Sequence, residues 1–149
     1  MKDKLLSKQG WVILLICIIS FFINNRVVVP DIMEARNMVT AREMVHDGNW
    51  LVPTMNGDLR LEKPPLPTWL TAVAEMISPD NLALQRAMAG FAAILLVAFF
   101  YLTAVQVMRN KRYAFISTIL LCTCYNIILM GRTASWDIYC PVSYTHLTL

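Results

Sequence analysis

Residues 87–108 read AMAGFAAILLVAFFYLTAVQVM, a run with no Asp, Glu, Lys or Arg. It meets the ~20 predominantly apolar residues that a helix needs to cross bilayer hydrocarbon. Ala87, Ala89, Gly90, Ala92 and Ala93 fill its first half, and small residues there let neighbouring helices approach closely. The whole composition points the same way. Of 149 residues, 57% are hydrophobic and only 15% charged, against roughly 25% charged in an average soluble domain. The net charge of +3 comes from short Lys/Arg clusters beside apolar runs. No basic stripe interleaved with aromatics is present, so no nucleic-acid partner is expected. Cys17, Cys122 and Cys124 lie within apolar runs, where thiols act as small hydrophobes, and neither a disulfide framework nor a zinc site is expected.

Working outward, Arg109-Asn110-Lys111-Arg112 follows the run directly, and Lys2, Lys4 and Lys8 outnumber Asp3 at the amino terminus. The positive-inside rule puts both basic clusters in the cytoplasm. The expected order is then a cytoplasmic segment over 1–9, a first span over 10–29, a long outer loop over 30–86, a second span over 87–108, a cytoplasmic turn over 109–112, a third span over 113–131 and an outer segment over 132–140. A cleaved leader would need small residues at its cleavage site, and Phe21 to Arg26 supplies none. The fold class is therefore all-α integral membrane, with three transmembrane helices plus interfacial amphipathic helices in the first loop. Residues 141–149, PVSYTHLTL, lack the preceding apolar pattern and are expected to be a non-native tail.

The loop holds nearly all residues capable of chemistry. At about 100° per residue, Glu34, Asn37, Met38, Ala41, Met44 and Val45 share one helix face, with Arg36, Thr40, Glu43 and Asp47 opposite, and Gly48 supplies a left-handed cap. Glu34 thus sits on the inward face, where a carboxylate needs a partner. Asn56-Gly57-Asp58 reads as a turn within a surface loop. A second helix is expected from Pro67 or Thr68, broken at Ser78, with Glu75 facing solvent or a neighbouring loop. Proline disfavours helix in the residue before it, so Lys63 and Pro64 are expected to be extended, holding the adjacent Glu62 and Lys63 in fixed directions. Carboxylates and a lysine gathered on the outer face suit general-base activation of an acceptor hydroxyl and neutralisation of a departing phosphate. Arg132 and Asp137, emerging after the third span, are brought by topology towards Glu34 and Glu62.

The order AREM, GNW-VP--NG and EKPP, followed by two spans and RTASWD, resembles the first outer loop of GT-C glycosyltransferases of the protein O-mannosyltransferase and lipid A aminoarabinose transferase group. The likeness covers Trp11 to about Cys140. It implies transfer of a sugar from a polyprenyl-phosphate carrier to a lipid A, other glycolipid or protein acceptor at the periplasmic face of a bacterial inner membrane, with inversion at the sugar carbon. By the same resemblance Asp31 or Glu34 is the catalytic carboxylate, Glu62 and Lys63 line the substrate site, Asp137 contributes a substrate or metal contact, and Arg42 is structural. The family often writes Pro-Asp-Glu contiguously; here Ile32 and Met33 separate Asp31 from Glu34. A divalent metal held by Glu34 and Asp137 stays open. Relatives are far longer, so the chain is expected to be an amino-terminal fragment, inactive alone. The alternative is a small multi-span assembly or transport subunit whose loop docks a partner.

Overall fold

The computed structural model describes residues 8–147. Lys2, Asp3 and Lys4 of the expected cytoplasmic segment, and Thr148 and Leu149 of the suspected tail, lie outside the described residues. The element order is α1 (Lys8–Phe22), α2 (Ile32–Asp47), β1 (Thr54–Met55), β2 (Asp58–Leu59), α3 (Pro65–Ile77), α4 (Leu82–Met108), α5 (Lys111–Thr123), α6 (Tyr125–Arg132) and α7 (Tyr139–Leu147).

The axis is α4, against which α1, α3, α5, α6 and α7 all pack. Its 27 residues, with mean hydropathy 2.3 over the most apolar window, are enough to cross a membrane. Asn81 caps its start by accepting from the Leu84 amide at 3.4 Å, so the helix begins before Ala87 and carries Arg86 inside it. Ile13, Cys17 and Phe21 of α1 meet Ala89, Ala92, Ala93, Leu96 and Val97 of α4, with Cys122 and Ile138 completing the cluster. The α1 rings take up the space that small residues leave: a Cβ on Gly90 would stand 3.0 Å from the Phe22 ring, and one on Gly131 would stand 2.7 Å from the Phe21 ring and 2.9 Å from Ala93 Cβ. The Cys17 and Cys122 sulfurs approach to 3.9 Å as free thiols.

The other expected spans differ in form. Helix α1 stops at Phe22, Asn24 turns left-handed at φ 58°, and Val27 to Val29 run on as exposed, non-helical residues. Proline at position 30 disfavours helix immediately before it. The segment 113–131 is divided at Cys124 into α5 and α6, bent by 61°, and only the pair together is long and apolar enough to cross. Thr118 Oγ1 donates to the Ala114 carbonyl at 2.7 Å, and Thr123 Oγ1 to the Ile119 and Leu120 carbonyls at 3.2 and 3.1 Å. Such back-bonding competes with the helical ladder and often bends helices slightly. Among the described residues there is thus one clear span and one bent pair. The suspected tail continues as α7 to Leu147, with Val142 packed against the α1–α4 cluster.

The loop folds against this bundle as α2 laid on α3, and α3 on α4. Gly48 caps α2 at φ 73°, as the sequence required. The segment read as a plain surface loop is a hairpin, pairing Thr54 with Leu59 and Met55 with Asp58. Its turn residues Asn56 and Gly57 both have positive φ, 55° and 82°, the requirement of a tight two-residue turn. Helix α3 starts at Pro65, a position where a missing N–H costs nothing, and is buried against α2 through Ala72, Ala41 and Met44.

Candidate functional site

The AREM element organises the loop. Arg42 pairs with Asp80 and lies 3.6 Å from Glu75, tying α2 to the end of α3. Glu43 accepts from Thr54 Oγ1 at 2.8 Å and from the Asn56 and Gly57 amides, which holds the hairpin turn. Met44 fills the α2–α3 core. Glu75, expected to face solvent or a neighbouring loop, is buried against the loop: its oxygens accept from the Asp80 amide at 3.2 and 3.1 Å and from the Gln85 side chain. The break at Ser78 turns the chain back so that these groups point at it.

Glu34 is 1% exposed and its partner is Arg86, also 1% exposed. The pair is bidentate, Arg86 Nε to Oε1 at 2.7 Å and Nη2 to Oε2 at 2.8 Å. Glu34 Oε1 also accepts from the Ala134 amide at 2.9 Å, and Arg86 Nη1 donates to the Asn25 carbonyl. One turn on, Asn37 donates to the Ala134 carbonyl at 2.8 Å and to Thr71 Oγ1 at 3.0 Å, while accepting from Thr68 Oγ1 at 2.9 Å. Both polar groups of the Ala134 residue are therefore held by α2. Arg132 does not join Glu34; its guanidinium donates to the Ile23 carbonyl beyond the end of α1.

This clamp fixes the next residues of the chain. Trp136 is buried, with the Lys63 ammonium 5.5 Å and the Arg60 guanidinium 4.9 Å from its ring centroid, both within cation–π range. Asp137 next to it is exposed and accepts from Ser135 Oγ at 3.3 Å. Lys63 and Asp137 are in this way both brought to the Trp136 corner. Glu62 is exposed and lines a pocket with Arg36 and Arg60. Asp31 is exposed at the foot of α2. Its carbonyl accepts the Ala35 amide at 2.8 Å, and its carboxylate makes no capping bond. Among the described residues Asp31 forms no ion pair.

Among the described residues no three His, Cys, Asp or Glu side chains cluster as a metal site would require. Both Glu34 oxygens are already occupied by Arg86 and the Ala134 amide, so the donor set does not fit a divalent ion at Glu34 and Asp137. Arg86 and Asn37 lie outside the motifs that mark the site, and Trp136, although within RTASWD, carries no role assigned from the sequence. For Arg86 a signal existed: a guanidinium at the start of an apolar helix demands a buried acceptor, and Glu34 was the carboxylate without a partner.

The architecture is a helical bundle around one apolar helix, with a polar loop of carboxylates and a lysine folded against it. The dolichyl-phosphate-mannose-protein mannosyltransferase family profile matches residues 11–144, and the chain belongs to that family. It is 34% identical over 92 residues to an undecaprenyl phosphate-alpha-4-amino-4-deoxy-L-arabinose arabinosyl transferase of Pseudomonas savastanoi pv. phaseolicola, covering 62% of this chain and 17% of that protein. The transferase of the same name from Shewanella sediminis is 31% identical over 108 residues, covering 72% of this chain and 19% of the relative. In fold it is similar to the crystal structure of ArnT from Cupriavidus metallidurans bound to undecaprenyl phosphate, with TM-score 0.76 and 20% identity, covering 93% of this chain and 26% of that one. The chain thus spans about a fifth of the curated relatives' length.

Proposed function

We propose that the chain is the amino-terminal part of a longer glycosyltransferase that moves a sugar from a polyprenyl-phosphate carrier to a lipid A, other glycolipid or protein acceptor. It works at the periplasmic face of the bacterial inner membrane, with the amino terminus cytoplasmic and 30–86 as the first periplasmic loop. The names of the relatives make an undecaprenyl-phosphate-linked amino sugar the first donor to test, and lipid A the first acceptor.

The observation that carries this reading is the division of labour between the two acids ahead of AREM. Glu34 is buried with both oxygens engaged by fixed donors, and a carboxylate paired with a buried guanidinium is poorly placed to accept a substrate proton. Its role is positioning: with Arg86 and Asn37 it holds Ala134 and so the Trp136–Asp137 corner. Asp31 is exposed and makes no capping bond, and takes the base position. It removes the acceptor proton as the sugar carbon is attacked from the face opposite the carrier phosphate. Lys63 neutralises that phosphate as it leaves, a point-charge role suited to lysine, with Trp136 holding its ammonium. Asp137 and Glu62 accept hydrogen bonds from sugar hydroxyls. No step is routed through a metal.

The test uses the gene extended in frame beyond codon 149. Asp31→Asn and Lys63→Ala are expected to lower transfer by orders of magnitude with membrane insertion unchanged. Wild-type transfer in both would remove the mechanism. A reading frame that stops without further spans would favour the small-subunit alternative, against which the family assignment stands.

A further inference from the structure

Two thiols stand outside the transfer chemistry. Cys17 of α1 and Cys122 of α5 are 105 residues apart in sequence, yet their sulfurs face one another at 3.9 Å, where either can donate a weak S–H bond to the other. They are 1% and 0% exposed, set among Ile13, Phe21, Leu96 and Val97 in the apolar cluster on α4. Cys124 and Cys140 are exposed, so the four cysteines divide into two open thiols and one sealed pair. A disulfide needs its sulfurs at about 2.04 Å, so the pair must close by about 1.9 Å, a movement shared between two side chains. The product is neutral and gives up only weak donors. A metal held by two thiolates would instead bury charge among apolar side chains.

We propose that Cys17 and Cys122 form an oxidation site, which a membrane-soluble hydroperoxide converts into a disulfide stapling α1 to α5. One sulfur attacks a peroxide oxygen, the O–O bond breaks, and the thiol proton goes to the departing alkoxide, leaving a sulfenic acid and an alcohol. The second sulfur then attacks the sulfenic sulfur; the S–S bond forms as the S–O bond breaks, and the second thiol proton leaves with the hydroxide as water. The two sulfurs together lose two electrons and the peroxide oxygens gain them. A sulfenic acid beside a thiol condenses in this way. The oxidant is one that dissolves in hydrocarbon because neither sulfur is open to water. The same burial protects the product, since exchange requires an outside thiolate to reach a sulfur. Cys122 lies just ahead of the α5–α6 break at Cys124, and beyond that break Arg132 already bonds the Ile23 carbonyl past the end of α1. The staple thus fastens the bent pair to the α1 segment on both sides of its break, ahead of the Ala134–Asp137 corner.

The test blocks the exposed Cys124 and Cys140 of the purified chain with iodoacetamide in neutral detergent micelles, then adds cumene hydroperoxide, which partitions into the micelle. Peptide mass spectrometry without reductant is expected to find Cys17 and Cys122 in one cross-linked species, two hydrogens lighter than its two thiol peptides together. Disulfides that close long loops constrain the unfolded chain most, so the thermal unfolding midpoint is expected to rise by about 5–15 °C over the blocked, unoxidised protein. Cys122→Ala meets the same oxidant with the same nine methionines but lacks the partner thiol, and is expected to show no rise. If that variant fails to fold, the cross-linked peptide and the midpoint of the wild type decide alone. The proposal is overturned if the two cysteines stay as thiols or pass to sulfinic acid without linking. It is overturned equally if the link leaves the midpoint unchanged or lower, or if Cys122→Ala gains the same rise. None of these outcomes depends on sugar transfer by the extended protein.

Discussion

Neutralising Glu34 gives a prediction whose size comes from the geometry. In Glu34→Gln the side chain keeps one oxygen for the Ala134 amide but leaves the Arg86 guanidinium, 1% exposed, without its counter-charge. Both partners are sealed from water, so the discount for solvent-screened surface pairs does not apply. Breaking a buried pair by removing one partner costs about 3–5 kcal/mol. The double variant Glu34→Gln/Arg86→Leu buries no charge and is expected to recover most of the loss, finishing within about 2 kcal/mol of wild type, because replacing a whole buried pair is often near neutral. The assay is denaturant unfolding of wild type, both single variants and the double variant in mixed micelles by circular dichroism, closed as a double-mutant cycle. Tryptophan emission is a second readout, since loosening Ala134 should expose Trp136. A cost below about 1 kcal/mol for Glu34→Gln, or single costs that simply add in the double variant, would refute the clamp.

Other expectations rest on single contacts. Gly131→Ala should destabilise by about 1–3 kcal/mol through overpacking, because its Cβ would meet the Phe21 ring at 2.7 Å; thermal unfolding in detergent checks this, and an unchanged midpoint would count against the α1–α4–α6 packing. Gly90→Ala should cost less by the same measurement, since its Cβ would meet the Phe22 ring no closer than 3.0 Å. Asn37→Ala removes three buried hydrogen bonds and should cost about 1–3 kcal/mol in denaturant unfolding for the partners left unsatisfied. Glu43→Ala should free the hairpin while sparing the α2–α3 core, seen as faster amide exchange at Asn56 and Gly57 with little change elsewhere.

Much of the loop was legible because its spacing carries local physics. The helical period put Glu34, Asn37, Ala41 and Met44 on one face, and all four are buried; Gly48 marked where α2 ends. Thr40 shows the limit of that period: assigned to the polar face, it is buried because Arg60 reaches across to it, a contact from another element that no periodicity encodes. The Asn56-Gly57 turn was visible, but the hairpin around it depends on Glu43 binding the turn amides from α2. For the spans, composition identified the apolar stretches and missed their interruptions. The break at the extended Cys124 and the early stop of α1 before Asn24 and Pro30 are both subtler than a hydropathy average. Of the candidate site residues, sequence named the acids and the lysine, while Arg86 and Trp136, which hold them, come from parts of the chain that meet the loop only after folding.

The choice between Asp31 and Glu34 as base is tested most directly by comparing Asp31→Asn with Glu34→Gln/Arg86→Leu in the extended protein, assayed for sugar transfer from a polyprenyl-phosphate donor in proteoliposomes. The account predicts that Asp31→Asn abolishes transfer at wild-type stability, while the double variant, lacking the Glu34 carboxylate but keeping the fold, retains measurable turnover. Wild-type turnover in Asp31→Asn, with none in a stably folded Glu34→Gln/Arg86→Leu, would contradict it.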